Sequence, residues 1–158
     1  MTVTFLVTPR FVWLARKKRK IGKGYFNGYG GKVEAGETPL QSAVREVKQE
    51  STVTVFQNRL VERAVIEFWR RGVHEFTCHM YVTTLWEGNP QETPEMEMPE
   101  PFRRGSPPLS KMMVGDRLWV RQVILGQEIP RSPDGSRFIH YDYHRKKVIE
   151  HNIPEYAI

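Results

Sequence analysis

At 158 residues, with a hydrophobic share of 39% and a charged share of 27%, the chain has the size and make-up of one compact domain, expected to span 1–158. No apolar run approaches the roughly 20 residues that a membrane-spanning helix needs. Its one cysteine, Cys78, excludes an internal disulfide or a cysteine-built metal cluster. The 24 Lys plus Arg against 18 Asp plus Glu leave +6, a balance that favours anionic ligands.

The start, MTVTFLVTPR, lacks the basic opening, long apolar middle and small-residue cleavage site of a secretory signal. The cytosol is therefore expected, with the nucleus added in a eukaryotic host. TVTFLVTP and FVWLARK read as two strands joined by a turn at Thr8 to Arg10. The adjoining basic run ARKKRKIGKG suits either a nuclear import signal or a solvated strand end.

FNGYGGKVEAGE crowds Gly28, Gly30, Gly31 and Gly36 together, which permits tight turns and close backbone approach. Lys32 adds a positive charge beside the acids. Next, Leu40, Ala43, Val44 and Val47 fall at i, i+3, i+4, i+7, one face of an amphipathic helix. Thr38 is its expected cap and Pro39 its first residue. Beside that stripe Glu46, Gln49 and Glu50 stand at i, i+3, i+4, close enough to converge. Two readings are open on spacing alone: a solvated polar face, or a cluster of hard oxygen donors suited to Mg²⁺, with Glu37 as a further donor or helix-terminus anchor.

TVTVFQ, LVERAVIEFW and HEFTCHMYVTTLW carry β-branched and aromatic residues in partial alternation and predict further strands, the last two turning at Arg70 to Val73. Cys78 reads as a small buried residue of the last strand. Residues 88–108, dense in proline and glutamate, predict a long loop. SKMMVGDRLWVRQVILG predicts a second helix, with Leu118, Val120, Val123 and Ile124 on its apolar side and Gly115 working against its start. SPDG marks a turn, and RFIHYDYHRKKVIEHNI a closing hairpin. The whole predicts an α+β domain with one central helix. His74, His79, His140, His144 and His151 keep no ligand spacing to the acids and read as ordinary strand and tail residues.

The glycine-acid pattern resembles the Nudix hydrolases, whose signature is Gly, five residues, Glu, seven residues, Arg-Glu, an aliphatic, any residue, Glu-Glu, any residue, Gly, an aliphatic. Gly31, Glu37, Arg45, Glu46, Val47, Glu50 and Val53 fit at every interval. Gln49 replaces the first paired glutamate and Thr52 the closing glycine. Around the signature the chain is similar to MutT-like members that clear 8-oxo-dGTP from the nucleotide pool, over nearly its whole length. The resemblance implies a mixed β-sheet sandwiched between helices, with a catalytic loop-helix-loop. It implies a Mg²⁺-dependent hydrolase, with Mn²⁺ as a substitute, that cuts a modified purine nucleoside triphosphate to monophosphate and pyrophosphate.

In that scheme Glu46 and Glu50 hold the metal, with Gln49 beside them and Glu97 completing the shell in competition with Glu95 and Glu100. Glu50 also acts on the attacking water, and Arg45 orients Glu37 or a neighbouring carboxylate. Asn27 and Lys17 correspond to pocket residues, and Gly30, Gly31 and Lys32 flank the substrate. Met113 and Asp116 stand where the family places a tryptophan and the second of two purine-reading aspartates, and Gly115 stands in place of the first. Phe26, Ile66 and Met113 either sandwich the base or pack in the core. Gln49 is expected to weaken one metal, and Thr52 to change the helix exit at some cost in strain. A monomer is expected, with a nucleoside triphosphate as substrate and no membrane partner. Two alternatives stand beside this: a Nudix enzyme of RNA 5′ ends or another nucleoside diphosphate derivative, prompted by Arg16 to Lys23 and by Arg145, Lys146 and Lys147; and a catalytically weakened nucleotide-binding module, prompted by Gln49 and Thr52.

Overall fold

The computed structural model describes residues 1–70, 73–127, 138–142 and 147–150. Strand β1 (Thr2–Val7) and strand β2 (Phe11–Arg16) pair antiparallel across the expected turn, where the Thr8 hydroxyl oxygen accepts the Phe11 N–H at 3.0 Å. Their alternation feeds two cores. Phe5, Val7, Val12 and Leu14 point into one cluster, while Leu6, Trp13 and Ala15 join the other. A strand buried on both faces reads as a near-continuous apolar run, which is what FLV and VWLA are.

The sheet is mixed. Beyond β1 and β2 the described residues form β3 (Phe26–Asn27), β4 (Thr54–Val55), β5 (Val61–Arg70), β6 (Val73–Thr83), β7 (Trp86–Glu87), β8 (Glu100–Arg103), β9 (Phe138–Asp142) and β10 (Lys147–Glu150), of which β4 and β7 make a separate two-stranded sheet. The main sheet runs β10-β9-β5-β6-β1-β2-β3, with β8 also on β2; β1 with β6 and β5 with β9 are parallel. The expected closing hairpin is present as the antiparallel β9–β10 pair. The SPDG turn lies outside the described residues, as does most of the turn after Arg70.

Helix α1 (Pro39–Ser51) covers one face. Thr38 caps it through a reciprocal pair: the Gln41 N–H donates to the Thr38 hydroxyl at 3.2 Å, and the Thr38 N–H donates to the Gln41 side chain at 2.8 Å. Ala43 is buried, and Val47 is buried in one cluster with Leu6, Tyr29 and Val53, with Val44 packed alongside. Helix α2 (Val120–Leu125) covers the other face, burying Val120, Val123 and Ile124 on Phe5 and Met80. Among the described residues no helix is long and apolar enough to cross a membrane.

Three expectations are corrected. The second helix is much shorter than its apolar pattern, because 3-10 turns at Leu109–Lys111 and Asp116–Leu118 take up the stretch around Gly115. TVTVFQ yields two strand residues before a 3-10 turn at Gln57–Arg59. The proline-rich loop contains β8, with Pro101 opposite Trp13, and the wholly buried Met96. Strand β8 pairs with β2 alone, and an edge strand tolerates proline because no neighbour needs its missing N–H.

At the end of α1, Thr52 adopts the left-handed conformation, φ 68°, with its N–H donating to the Lys48 carbonyl at 3.1 Å. The exit geometry is thus the one a glycine makes; the change expected there does not occur, and the strain does. A β-branched residue in this region is unfavourable by roughly 1–3 kcal/mol, and the exposed Thr52 side chain gains no buried contact in return. Thr52→Gly is expected to stabilise the protein by about 1 kcal/mol net of the freedom glycine adds to the unfolded chain. In a calorimetric scan this is a rise in Tm of roughly 2–4 °C; an unchanged or lower Tm would contradict it.

Candidate active site

The segment Asn27 to Gly31 runs against β1, with the Thr4 N–H donating to the Tyr29 carbonyl and the Thr2 N–H to that of Gly31. The approach is too close for side chains. A Cβ on Gly30 would lie 2.0 Å from the Thr2 carbonyl oxygen, and one on Gly31 would lie 2.5 Å from a carboxylate oxygen of Glu46. The two glycines thus form a wall between β1 and α1, against which the acids of α1 are pressed.

Glu50 is 1% exposed and Glu46 8%. The Gly30 N–H donates to Glu50 Oε2 at 2.7 Å, and Lys17 Nζ lies 3.2 Å from Glu50 Oε1 and 3.4 Å from the Gly30 carbonyl oxygen. Burial still pushes the Glu50 carboxyl above its ordinary range, against the pull of Lys17 and the Gly30 amide, and Glu46 adds to the rise. Arg45 organises the outer side. Its Nε and Nη2 clasp Glu37 at 2.6 and 2.9 Å, and its Nη1 donates to Glu46 at 2.8 Å and to the Gln49 side-chain oxygen at 3.1 Å. Hydrogen bonding to Arg45 first, then to the Glu34 amide, brings the Glu37 carboxyl down to about 2.

On the far side of Lys17 opens a cavity of about 230 Å³. Asn27, Asp116, Met113 and Gly30 line it, together with Phe68, Phe76, Cys78 and Trp119. Asn27 Nδ2 donates to Asp116 Oδ2 at 3.3 Å, and the Asn27 side-chain oxygen accepts the Gly28 N–H at 2.8 Å, so the amide is held in one orientation. Burial pushes the Asp116 carboxyl up to about 7, with Lys17 opposing. Two further buried polar atoms belong to residues of the wall and have no partner, the Thr2 hydroxyl and the Trp119 indole N–H. Burial holds the Cys78 thiol protonated, near 12, so the expectation of a small buried residue is met.

The NUDIX domain family model matches residues 1–107, from β1 through β8. The chain belongs to the Nudix family. It is 39% identical over 120 residues, 75% of either chain, to an oxidized purine nucleoside triphosphate hydrolase of Danio rerio. It is 34% identical over 119 residues, 75% of this chain and 74% of the other, to the protein of that name in Mus musculus. A crystal structure of a MutT protein from Bacillus halodurans superposes with a TM-score of 0.66 at 22% identity, covering 94% of this chain and 93% of that one, a likeness of fold. The expectation of an α+β, MutT-like Nudix hydrolase holds.

Within this Nudix site the expected residues sort unevenly. Glu37, Arg45, Glu46, Gln49 and Glu50 are brought together, and Lys17, Asn27, Gly30, Met113 and Asp116 share the cavity wall. Gly31 backs Glu46. Lys32 contributes through its backbone, whose carbonyl accepts from Ser42 and Arg45, while its side chain is exposed. Phe26 and Ile66 do not line the cavity: both are buried in the core, Phe26 edge-on to Phe102 and beneath the Arg16 guanidinium. Their expected place is taken by Phe68 and Phe76, stacked 4.7 Å apart, and by Trp119. Phe68 shares a strand face with Ile66, so alternation identifies the face and not which end of it opens.

Glu97 faces Arg16, while Arg45 faces Glu37, Glu46 and Gln49. Glu97 lies 3.4 Å from Arg16 with its side chain 53% exposed, and Glu95 pairs with Arg19 and Lys20. Among the described residues no three of His, Cys, Asp and Glu form a ready metal cage. His74 and His79 pair with Glu67 and Glu62; the side chains of His140, His144 and His151 are not among those described.

Asp116 yields a sign-definite test. A carboxyl raised from 3.8 to about 7 on folding binds its proton more tightly in the native state, so the protein loses stability as pH climbs between those values and is level beyond them. Asp116→Asn is expected to gain on the wild type by on the order of 3 kcal/mol between pH 4 and pH 8, measured by urea unfolding without nucleotide. Parallel stability profiles would rule this out.

Proposed function

We propose that the protein is a single-domain, Mg²⁺-dependent hydrolase that converts an oxidised purine nucleoside triphosphate to its monophosphate and pyrophosphate. One observation carries the reading: Lys17 and Gly30 belong at once to the acid cluster and to the cavity, so a group suited to diphosphate chemistry adjoins a pocket with base-reading polar groups. The cavity is smaller than the roughly 300–1,000 Å³ of sites that engulf a whole ligand, which suits it to a base whose phosphates lie outside. The relatives named for oxidized purine triphosphates support the substrate. Residues beyond the family match support one domain, since Trp119, Val120 and Ile124 share a core with Phe5 and β9 extends the sheet at β5.

The donors fit a hard divalent cation: two buried carboxylates on successive turns of α1, beside the Gly30 carbonyl. Fewer than three side-chain acids is no obstacle for Mg²⁺, which takes much of its shell from water and phosphate. When bound there by Glu46 and Glu50, the ion would neutralise charge on the diphosphate. The remaining work falls to the chain. Glu50 is held by the Gly30 amide at Oε2 and by Lys17 at Oε1, so its carboxylate is fixed in the cluster, where a remaining lone pair would take the proton of the attacking water. The water oxygen bonds to phosphorus, the bridging P–O bond breaks, and pyrophosphate leaves with its electron pair, without a covalent enzyme intermediate. Arg45 positions Glu46 from its bidentate anchor on Glu37. Asn27 and Asp116 meet the base edge, Asp116 donating when protonated and accepting when ionised.

The first prompt for the RNA-end alternative is weakened, because Arg16, Lys18, Arg19 and Lys20 pair with Glu97, Glu92 and Glu95. Arg145 and Lys146 lie outside the described residues. A weakened binding module is disfavoured by Glu46 and Glu50 both being buried and held in place.

Incubation with a mixed nucleotide library and Mg²⁺ is expected to consume an oxidised purine triphosphate first, with release of pyrophosphate. Preference for ADP-ribose, dinucleoside polyphosphates or capped RNA would overturn the substrate. Glu50→Gln is expected to lower kcat by about 100-fold or more. Gln49→Glu restores a charge beside Arg45 and should reduce the Mg²⁺ concentration needed for half-maximal rate by several-fold; a variant identical to wild type in rate and metal demand would show that Gln49 does not weaken the site.

A further inference from the structure

We propose that Lys17 is a resident cation of the metal site, an ammonium that occupies the place between Glu50 Oε1 and the Gly30 carbonyl in the free protein and turns into the neighbouring cavity when a divalent ion binds. The inference rests on the metal reading above and adds a moving part to it.

The backbone at Lys17 is pinned. Its N–H donates to the Tyr25 carbonyl at 3.1 Å, its carbonyl accepts the Gly24 N–H at 2.8 Å, and it bridges to Met96 on the other side. Any movement therefore belongs to the side chain, which is 13% exposed and extends along the wall shared by the cluster and the cavity. Its ammonium meets a carboxylate oxygen at 3.2 Å and a main-chain carbonyl oxygen at 3.4 Å. A carboxylate beside a carbonyl is a hard-cation donor pair, filled here by a monovalent tethered group.

The arrangement answers a physical need. Glu50 at 1% exposure is nearly cut off from water, and a buried carboxylate without a partner is strongly destabilising. Lys17 supplies that partner while the protein is empty. A divalent ion brings twice the charge and engages Glu46 as well, so it compensates both carboxylates where one ammonium reaches one. Four rotatable bonds let the freed ammonium swing toward the cavity that its own stem already lines. There it meets the anionic group joining base and cleaved diphosphate, so that metal occupancy and nucleotide anchoring are coupled through one side chain.

A lysine that competes for the site lowers apparent metal affinity by the fraction of time its place is open. In nucleotide-free protein, Lys17→Met is therefore expected to bind Mn²⁺ more tightly, by about tenfold if Lys17 vacates its place a tenth of the time, measured by calorimetry. A purely structural ion pair predicts the reverse, because Glu50 would lose its anchor; weaker or unchanged binding overturns the proposal. A second arm uses the wild-type chain and stands whether or not the variant folds. A brief pulse of an amine-acetylating reagent, read by peptide mass spectrometry, should modify Lys17 several-fold faster in saturating Mg²⁺ than without it, with Lys32 unchanged. Equal or slower modification of Lys17 refutes the exchange. Should wild-type protein bind no Mn²⁺, or Glu50→Gln bind it equally well, the metal site falls and the exchange with it; Mn²⁺ binding that depends on Glu50 but leaves Lys17 unmoved defeats the exchange alone.

Discussion

The burial of Glu50 is the constraint around which the rest is arranged. A carboxylate removed from water must be met by donors or charge, and α1 offers none at that position, since its own amides are spent on the helix. The chain meets the demand by bringing a second backbone close enough to donate. That approach requires Gly30, whose N–H reaches Glu50 while its α-carbon lies against the Thr2 carbonyl. Gly31 then leaves room for Glu46. The glycines are thus as much a part of the acid cluster as the acids, although they carry no chemistry themselves.

The same close approach decides where the cavity lies. Because Asn27 to Gly31 is held on β1, Asn27 emerges on the opposite face of the sheet from α1, beside the turn that carries Asp116. Burial on both faces of β1 and β2 keeps that geometry stiff: α1 presses from one side and α2 with its preceding turns from the other. A shift of either layer would separate Asn27 and Asp116 from the acids. Fold and site are in this sense one packing problem, and it is solved at the edge where the glycines cross.

The parts of this that were legible in the sequence are those with a local cause. Helix α1 declares itself through its 3.6-residue stripe, Thr38 and Pro39, and the acids are placed by their spacing on it. The strands that flank a turn, and the closing hairpin, declare themselves by alternation. Features that were not legible depend on residues far apart in sequence. Ile66 and Phe68 share a face of β5, and their different fates are set by which end of that face is covered by the turns before α2. Glu97 is drawn to Arg16 by the pairing that zips residues 16–20 to 92–97. Strand β8 hides in a proline-rich segment because an edge strand can do without one N–H. Thr52 shows the converse: a position read as altered keeps the backbone conformation of a glycine, because the buried Val53 and Val55 just beyond it hold the exit of the helix against the core.

That zipping also bears on how the positive charge is used. A net +6 with a basic run suggests a surface for polyanions, and a polymer backbone is gripped by a row of cations each free to release counterions. In this chain Lys18, Arg19 and Lys20 already face Glu92 and Glu95, so their field is largely cancelled at short range. Lys17, one residue earlier, is turned inward by the strand alternation, where low exposure keeps its charge unscreened and aimed at the shared wall of cluster and cavity. One buried ammonium acts on an anion that enters the cleft, not on one that slides across the surface. Among the described residues this distribution of charge supports the proposed small phosphorylated ligand, on grounds independent of any relative's substrate.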